Sequence, residues 1–408
     1  MKFIRIGFNL YLVSLPEELT SSLNAKPLMV ASAPGRLDFL NTHQDYKGLP
    51  VVPVAINLRT YVAIISENER FEATSLNLQK EGVESRDVFE PSNPGLITGR
   101  WWGNYLRACV IALERFKGTR LPKGLRLVIY SEVPVASGLS SSAALEVAFL
   151  KALDAYYNIG LTPEEIAEIA FRAENEVAGI PCGRLDQYAS SLGGAILLYP
   201  RPPVHAERLE IGSIGFIVVD SGIRHSVADI HPKRQSELNE ALRVLRSLKD
   251  VPPYIRSKIG LSFADTLWEE LSFKEVEGYL SRLPRNLANR VAFTILMHES
   301  TMRVIEKIRR GMLDFPTLVH EVNYQHELLR DLYEVSLPEL EKIREAMLKA
   351  GAPAVKISGA GMGGSLLALA PPDTKVKENI IQSALDNGAK KGWQVSIDRG
   401  ASVDFTIS

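Results

Sequence analysis

Hydrophobic and polar residues along this chain follow two different periods. Runs with the two-residue alternation or the β-branched composition of strands occur at residues 28–33, 51–56, 60–66, 125–130, 216–220, 354–358 and 365–369. Apolar residues with helical spacing occur at residues 101–116, 145–153, 162–174, 238–248, 294–309 and 337–348. Strands and helices interleave in the first half and helices dominate from about residue 234, so the pattern predicts a mixed α/β (α+β) fold.

Glycine, proline and polar residues set the expected breaks between the first strands. Residues 34–36, Pro-Gly-Arg, are expected to end the strand at residues 28–33 and to begin a loop that runs to Gly48. A short polar turn is expected between the strands at residues 51–56 and 60–66.

The stretch at residues 134–144, Pro-Val-Ala-Ser-Gly-Leu-Ser-Ser-Ser-Ala-Ala, joins a predicted strand to an apolar helix. In that geometry the free N–H groups and the positive end of the helix dipole point at one spot, which suits a phosphate. The alternative is a serine-rich N-cap, but one hydroxyl suffices for a cap and three stand here, at Ser140, Ser141 and Ser142. The chain contains no Walker loop, so that common phosphate cradle is excluded.

Two acidic residues follow this stretch, Glu174 near the end of a predicted helix and Asp186 in a predicted loop. Residues 162–165, Thr-Pro-Glu-Glu, combine a hydroxyl cap, a proline in the first turn and the glutamate of a capping box. They begin a helix that carries Glu174 near its end. Residues 179–187 then form a loop with glycine and proline that presents Asp186.

Two further features are weak signals for a nucleotide site. Trp101 and Trp102 stand side by side at the start of a predicted helix, where they either line an adenine pocket or pack in the core. Residues 359–364, Gly-Ala-Gly-Met-Gly-Gly, lie between two predicted strands, and the alternative to a nucleotide loop is a glycine hairpin turn.

Length, charge and cysteine content restrict the class of protein. The 408 residues exceed what one core usually organises, so two domains are expected, with a boundary near residue 205. A net charge of -1 and a pI near 6.7 give no reason to expect nucleic acid or an anionic membrane. Cys109 and Cys182 are too few for a disulfide framework. Residues 1–15 are too short and too charged to span a bilayer, so we expect a cytoplasmic protein with no membrane partner.

The predicted loops and helix ends offer the groups that phosphoryl transfer needs. These are hydrogen-bond donors to the phosphates, a metal site, a group that handles the attacking hydroxyl, and a cation. The serine-rich turn supplies donors. Glu174 and one serine of residues 140–142 are candidates for Mg²⁺, Asp186 for the hydroxyl proton and Arg36 for charge balance near Asp186. Each of these charged side chains has the alternative of an ordinary solvated or paired surface group.

Six motifs stand in a fixed order along the chain. They are Ala33-Pro34-Gly35-Arg36, His43-x-Asp45-Tyr46-x-Gly48, Gly138-Leu139-Ser140-Ser141-Ser142-Ala143, Glu174 with Pro181-Cys182-Gly183-x-x-Asp186-Gln187, Asp220-Ser221-Gly222-x-Arg224-His225-Ser226, and Gly359-Ala360-Gly361-x-Gly363-Gly364. This is the order found in galactokinases, which belong to the GHMP small-molecule kinase superfamily, and the chain resembles that family over most of its length. Residues 326–336 also resemble the galactokinase segment ahead of the last glycine loop.

The resemblance implies a two-domain GHMP kinase-like fold, with domains at residues 1–205 and 206–408 and the active site in the cleft between them. It implies ATP and Mg²⁺ as cofactors and a small-molecule sugar as substrate. Asp186 and Arg36 would be catalytic, and Ser142 and Glu174 would bind the metal. The sugar site would contain Thr42, His43, Asp45 and Gly183, and the nucleotide site would contain Gly138, Leu139, Ser140, Ser141, Ser142, Ala143 and Gly361.

Two departures from the family pattern concern the sugar. Galactokinases have Gly-Glu-His-Thr-Asp-Tyr where residues 41–46 read Asn-Thr-His-Gln-Asp-Tyr, so Thr42 replaces a carboxylate that the resemblance places near the C6 hydroxyl of the sugar. The family's sugar-contacting tyrosine has no counterpart in residues 228–232. A neutral threonine discriminates less, so D-galactose is expected to lead C6-altered analogues by less than about 100-fold in kcat/KM.

The expected function is ATP-dependent phosphorylation of the anomeric C1 hydroxyl of galactose or a close galacto-configured sugar. The alternatives are a kinase for L-arabinose, D-galacturonate, N-acetylgalactosamine or a 6-deoxy sugar, and a non-catalytic sensor of sugar and nucleotide. Sensors of that kind can lose residues in the serine-rich loop, which is complete here. A monomer and a homodimer are both compatible with the sequence.

Overall fold

The computed structural model describes residues 15–407 apart from positions 24, 136, 213, 225 and 226, with the backbone alone for residues 227–231. His225 and Ser226, which end one predicted motif, lie outside the described residues, and so does the stretch at residues 1–14. Among the described helices, none is long and apolar enough to cross a bilayer.

Twelve strands form within the described residues. They are β1 (Met29–Leu40), β2 (Val52–Asn68), β3 (Phe71–Ser75), β4 (Arg86–Phe89), β5 (Gly124–Ser131), β6 (Ile196–Tyr199), β7 (His205–Arg208), β8 (Phe216–Asp220), β9 (Val355–Ser358), β10 (Ser365–Leu369), β11 (Lys391–Val395) and β12 (Ser402–Thr406).

Thirteen α-helices form in the same part of the chain. They are α1 (Glu17–Ser22), α2 (Leu76–Lys80), α3 (Asn104–Lys117), α4 (Ser141–Tyr157), α5 (Pro163–Arg172), α6 (Leu185–Leu192), α7 (Val227–Ser247), α8 (Pro253–Arg256), α9 (Phe273–Leu280), α10 (Arg285–Arg309), α11 (Phe315–Asp331), α12 (Pro338–Lys349) and α13 (Thr374–Asp386). Shorter helical turns occur at Asp45–Lys47, Ala173–Val177 and Trp268–Glu270.

Two main sheets organise these elements. The first has the strand order β12-β1-β2-β5-β3-β4 and packs against α3, α4 and α5. The second has the order β11-β8-β10-β9 and packs against helices α10 to α13. The last strand, β12, pairs with β1 in the first sheet, so the two halves of the chain are joined by backbone hydrogen bonds.

One apolar cluster crosses between the two halves. It contains Leu37 and Val54 from the first sheet together with Phe216, Val218 and Leu367 from the second. These buried side chains therefore join the two sheets in one shared apolar core. The domain boundary near residue 205 stays a prediction.

Strand β1 is longer than the sequence analysis predicted, and the loop expected from residue 34 is wrong for residues 34–40. The pairing of β1 with β2 shifts between Pro34 and Arg36 and again between Asp38 and Leu40. Such irregularities accept a proline, which has no N–H for the ladder. The backbone N–H of Arg36 donates instead to the oxygen of Leu139, at 3.1 Å. β1 therefore carries Arg36 directly to the serine-rich loop.

The polar turn predicted between two strands is also wrong, because β2 runs unbroken through this position. The polar residues inside β2 are satisfied by the end of the chain. Ser396 N–H donates to Asn57 Oδ1 at 3.0 Å, and Arg59 Nη1 lies 2.6 Å from Asp398 Oδ2. A local polarity pattern cannot reveal partners this far away in sequence.

Other predicted elements are confirmed. The helix after the serine-rich turn is α4, and Thr162 caps α5 with the predicted capping box, in which Glu165 N–H donates to Thr162 Oγ1 at 3.2 Å. The strand at residues 365–369 has the predicted bounds.

Arg59 is expected to hold the C-terminal strand on the first sheet. It is buried, and it donates to Ser32 Oγ, Asp398 Oδ2 and the backbone oxygens of Arg399 and Gly400. Breaking a buried ion pair costs about 3–5 kcal/mol, because the remaining charge loses its partner. Arg59→Ala should therefore lower the free energy of unfolding by about that amount in urea denaturation.

A matched control is Arg310→Ala, which removes an exposed pair with Glu306. Exposed pairs contribute little, so this variant should unfold almost like the wild type. Equal and small losses in both variants would show that Arg59 is not a link between the chain end and the sheet.

Candidate active site

Arg36 on β1 and Asp186 on α6 form an ion pair. The Nε and Nη2 atoms of Arg36 lie 2.8 Å and 2.6 Å from Asp186 Oδ1. Both contacts use the same oxygen, so Arg36 does not engage the second oxygen of Asp186. The Asp186 side chain is 29% exposed and the Arg36 side chain 8%. One carboxylate oxygen of Asp186 is therefore not bonded to Arg36, although it lies next to a fixed positive charge.

Arg36 also connects Asp186 to the serine-rich loop. Its Nη1 donates to the backbone oxygen of Gly138 at 2.6 Å, and its backbone N–H donates to Leu139. A Cβ on the neighbouring Gly35 would lie 2.8 Å from the Leu139 oxygen, so only glycine allows the strand to approach the loop this closely. The loop and the ion pair therefore form one unit.

The start of α4 has unpaired polar groups of the kind that hold an anion. Ser140 is the N-cap residue, with a positive φ of 62°, yet its side chain makes no capping hydrogen bond. Among the described residues its hydroxyl is buried without a partner. The side chain of Ser140 therefore does not act as an ordinary N-cap of α4. A strained backbone and an unpaired buried hydroxyl at a helix N-terminus fit a phosphate group.

Glu174 lies in the π-helical turn that extends α5. Burial raises the pKa of Glu174 to about 7, and the charge of Asp186 adds to this rise, whereas Ser142, Cys182 and Gln187 oppose it through hydrogen bonding. Gln187 Nε2 donates to Glu174 Oε2 at 2.6 Å. Ser142 and Glu174 are therefore neighbours. Mg²⁺ commonly takes one or two carboxylates with phosphate oxygens and water, so this small donor set fits the metal.

Glu146 on α4 is an acidic residue that the sequence analysis missed. It is fully buried one turn after Ser142, and within the described part of the chain neither of its carboxyl oxygens has a hydrogen-bond partner. Burial raises the pKa of Glu146 well above its usual range, and the charge of Glu174 adds to the rise. In the described residues no three His, Cys, Asp or Glu side chains are arranged as a metal centre. The site is nonetheless rich in acidic groups.

A second group of carboxylates, Asp38 and Asp45, is close enough to Asp186 for their charges to influence one another. Burial raises the pKa of Asp45 to about 6, and the negative charges of Asp38 and Asp186 add to the rise. A Cβ on Gly183 would lie 1.5 Å from Asp45 Oδ2, so glycine alone leaves room for this carboxylate. Carboxylates grouped in this way can accept several hydroxyl hydrogen bonds, which suits a polyol ligand.

Thr42 and His43 are placed differently from the other predicted sugar residues. Thr42 has no exposed surface, and its hydroxyl bonds to Asp38 Oδ1 at 3.2 Å and to Lys356 Nζ at 2.8 Å. His43 Nε2 lies 3.1 Å from the backbone oxygen of Ala360 in the glycine loop. The hydroxyl of Thr42 is therefore bonded to two neighbouring side chains, Asp38 and Lys356. His43 instead contacts the loop at residues 359–364.

The glycine loop at residues 359–364 contacts the serine-rich loop. Ser365 Oγ donates to the Ser137 oxygen at 2.7 Å, and a Cβ on Gly138 would lie 3.0 Å from the Ser358 oxygen. Gly361 has a φ of 80°, and a Cβ there would lie 2.7 Å from Val335. The two loops that the sequence analysis singled out as nucleotide candidates therefore meet at one place.

A cleft of about 1100 Å³ opens beside this meeting point. Its lining includes residues 130–135, which lead into the serine-rich loop, together with Arg224, Lys390 and Trp393. Trp101 and Trp102 do not line it. Trp101 Nε1 donates to Asp87 Oδ1 at 3.0 Å, and Trp102 packs against the core of the first half. Of the two roles considered for these tryptophans, the structure supports packing.

Known protein families match three parts of the chain. The model described as "GHMP kinases N terminal domain" matches residues 104–194, the "Galactokinase galactose-binding signature" matches residues 17–65, and "GHMP kinases C terminal" matches residues 304–390. The second of these ranges contains Arg36, Thr42 and Asp45, and the first contains the serine-rich loop and Asp186.

Similar proteins agree with these matches. The galactokinase of Thermotoga maritima is 30% identical over 87% of this chain and 93% of its own length, and that of Chloroflexus aggregans is 31% identical over 87% and 86%. The crystal structure of Lactococcus lactis galactokinase complexed with galactose superposes with a TM-score of 0.76 at 24% identity, covering 92% of this chain and 94% of that one. A mevalonate kinase of L. major shares the fold, with a TM-score of 0.61 at 20% identity over 93% and 100% of the two chains. The chain belongs to the galactokinase family of the GHMP kinases.

Proposed function

We propose that this chain transfers the γ-phosphoryl group of ATP to the C1 hydroxyl of D-galactose or a close galacto-configured sugar, with Mg²⁺ as the metal. The observation that carries the proposal is the ion pair of Arg36 and Asp186. Arg36 bonds to the serine-rich loop at Gly138, and the charge of Asp186 influences Asp45, so a phosphate at the loop and a hydroxyl held by these carboxylates would meet at the ion pair.

The sugar occupies the side of the ion pair that contains Asp45 and Gly183. Asp45 accepts hydrogen bonds from sugar hydroxyls, and the missing side chain at Gly183 leaves that carboxylate in place. The galactose bound to the Lactococcus lactis relative supports a sugar of this configuration.

The nucleotide occupies the cleft beside the serine-rich loop. The N-terminus of α4 and the hydroxyls at Ser140, Ser141 and Ser142 receive its phosphates, and Gly361 in the glycine loop closes the site from the second half. Trp393, on the wall of the cleft, offers a flat apolar surface to the base.

Asp186 handles the attacking hydroxyl. As that oxygen forms its bond to the γ-phosphorus and the bond to the bridging oxygen of ADP breaks, the hydroxyl proton passes to the second oxygen of Asp186. Arg36 holds the other oxygen and balances the negative charge that collects on the transferring group.

Ser142 and Glu174 would hold Mg²⁺, which when bound spreads the charge of the transferred phosphate. Gln187 orients Glu174 through its hydrogen bond, so this carboxylate is fixed before the metal arrives. The cytoplasmic location and the choice between monomer and homodimer stay predictions.

Turnover is tested by incubating the protein with ATP, Mg²⁺ and a panel of sugars and measuring ADP release. The proposal expects ADP with D-galactose and slow release without sugar. Binding of both nucleotide and sugar with no ADP from any sugar would indicate a sensor and would contradict the kinase function.

Asp186→Asn tests the role of the carboxylate. Asparagine keeps the size and most hydrogen bonds but cannot carry the charge, so kcat should fall by on the order of 10²-fold or more. The affinity for a fluorescent ATP analogue should change little, because the proposed nucleotide contacts are made by the serine-rich loop and by the cleft beside it, whose lining does not include Asp186. Asp386→Asn, at an exposed position on α13, is the control and should retain turnover. Near-normal turnover in Asp186→Asn would leave this residue a structural role only.

Glu174→Gln tests the metal site. The variant should fold normally, because the capping box that begins α5 is untouched, but it should need a higher Mg²⁺ concentration for half-maximal activity. Binding of Mn²⁺, followed by its electron paramagnetic resonance signal, should weaken in parallel. Glu164→Gln, on the exposed first turn of α5, is the control. An unchanged metal requirement would show that Glu174 is not a metal ligand.

A further inference from the structure

His43 lies in the connection between β1 and β2, two residues before Asp45, and it contacts the second half of the chain. Its side chain is 5% exposed, and its Nε2 lies 3.1 Å from the backbone oxygen of Ala360 in the glycine loop. A carbonyl oxygen only accepts hydrogen bonds, so Nε2 carries the proton and donates it. This hydrogen bond therefore joins the turn that carries Asp45 to the glycine loop.

Tyr46, the residue after Asp45, makes a second link to the same loop. Its hydroxyl lies 2.5 Å from that of Tyr333, in the segment that joins α11 to α12. Two residues further along this segment, the backbone oxygen of Val335 accepts from the N–H of Met362 in the glycine loop, at 2.7 Å. The chain on both sides of Asp45 is therefore connected to the loop, once directly and once through this segment.

The glycine loop also lies directly against the serine-rich loop. A Cβ on Gly359 would lie 3.2 Å from the Gly138 oxygen, and a Cβ on Gly364 would lie 3.2 Å from the Ser137 oxygen. Backbone meets backbone here, with no side chain between the two loops that could absorb a displacement. The position of the glycine loop is therefore set jointly by the phosphate side of the site and by the turn around Asp45.

Backbone strain is concentrated along the two links. In the part of the chain that the structure describes, six non-glycine residues have a positive φ. Four of them belong to the linked segments, and these are Asn41, His43, Glu334 and Met362, with φ values of 67°, 66°, 56° and 55°. Such conformations persist only where surrounding contacts fix them, and they cluster at ligand-binding and switching segments. The strain therefore marks the links as fixed parts of the site.

Resting on the proposed function, we infer that His43, together with the pair of Tyr46 and Tyr333, is a positioning residue through which sugar binding at Asp45 increases the affinity for the nucleotide. A ligand on Asp45 holds the turn, and the turn holds the glycine loop through the hydrogen bond to Ala360. Ordering a loop costs binding free energy, so a nucleotide that meets an ordered loop binds more tightly. By linkage, the nucleotide increases the affinity for the sugar by the same factor.

The coupling factor is measured as the ratio of two nucleotide affinities. Calorimetric titration of the wild type with the non-hydrolysable ATP analogue AMP-PNP and Mg²⁺ should give a Kd about 5- to 150-fold lower with saturating D-galactose than without sugar. The reverse titration, with D-galactose in the presence and absence of AMP-PNP, should give the same factor. Equal affinity for AMP-PNP in both conditions would overturn the inference.

The variants His43→Phe and His43→Gln separate the hydrogen bond from the ring. Phenylalanine keeps a ring next to Tyr333, whose centroid lies 4.8 Å from that of His43, but it cannot donate. Glutamine has no ring, and its amide donates at about the reach of Nε2. Both replacements meet the same positive φ. The coupling factor should fall towards 1 in His43→Phe and stay close to the wild-type value in His43→Gln. The opposite pattern would assign the role to ring packing and overturn the inference.

Sugar binding without nucleotide distinguishes a positioning role from a direct sugar contact. If His43 acts through the glycine loop, the Kd of D-galactose alone should be nearly the same in His43→Phe and in the wild type. A weaker affinity for D-galactose alone, with an unchanged coupling factor, would make His43 a sugar ligand and contradict the inference. His320→Gln, at an exposed position on α11, is the control and should leave the coupling factor unchanged.

Tyr333→Phe keeps the test decisive if the variants of His43 unfold. It removes the hydroxyl that meets Tyr46 and leaves in place the ring that stacks on Phe293. The coupling factor should fall in this variant too, because the second link is broken. A wild-type coupling factor in folded Tyr333→Phe would contradict the inference.

These binding measurements need no turnover, so they separate this inference from the proposed function. If no sugar yields ADP, the kinase function fails, while a rise in AMP-PNP affinity with D-galactose that is lost in His43→Phe still supports the coupling. If D-galactose is phosphorylated and the wild type shows no such rise, the inference fails and the kinase function stands.

Discussion

The contact of Arg36 with Asp186 is the constraint on which the site depends. Arg36 is almost completely covered, so its charge requires the carboxylate, and its remaining donors are directed by the backbone oxygen of Gly138. One arginine therefore fixes the distance between α6 and the serine-rich loop. β1 carries Arg36 there past a shift in strand pairing between Pro34 and Arg36, which does not end the strand.

Acidic groups greatly outnumber cations around this pair. Asp38, Glu146 and Glu174 are buried and Asp45 is partly buried, and desolvation raises the pKa of each of these four carboxyl groups. These acidic groups disfavour the binding of a triphosphate that carries no cation, because like charges repel at short distance in a medium of low polarity. A divalent cation and the N-terminus of α4 would offset this repulsion on the phosphate side. On the proposed sugar side, Asp38 and Asp45 would act as hydrogen-bond acceptors, which suits hydroxyl groups.

Sequence reasoning located the elements whose signals are local. The strand, glycine-serine turn and apolar helix around residues 134–153 were predictable because capping and periodicity act within a few residues. Arg36 was expected near Asp186 from the needs of phosphoryl transfer and from the family resemblance, and not from any local pattern, since 150 positions separate the two residues. β1 and β2 were cut short in the prediction because Pro34 and Arg59 look like breaks until their distant partners are known.

The contacts around the sugar pocket could not be predicted in the same way. Asp38 was assigned to a loop and Lys356 to a strand, and the contact between these two residues spans 318 positions. Thr42 was predicted to contact the sugar from its position in a motif, and the structure shows its side chain buried and hydrogen-bonded to Asp38, a contact that the motif does not reveal. A motif fixes the place of a backbone segment, whereas the identity of the side chain that reaches the ligand depends on tertiary packing.

The most direct test of the account is the position of the phosphate in the product. The site places Asp186 and Arg36 at one attacking hydroxyl, which the account assigns to C1. Incubation with ATP, Mg²⁺ and D-galactose labelled with ¹³C at C1, followed by ¹³C nuclear magnetic resonance, should give a C1 signal split by coupling to phosphorus. A phosphorylated sugar whose labelled C1 shows no such coupling would mean that another hydroxyl is attacked and would contradict the account.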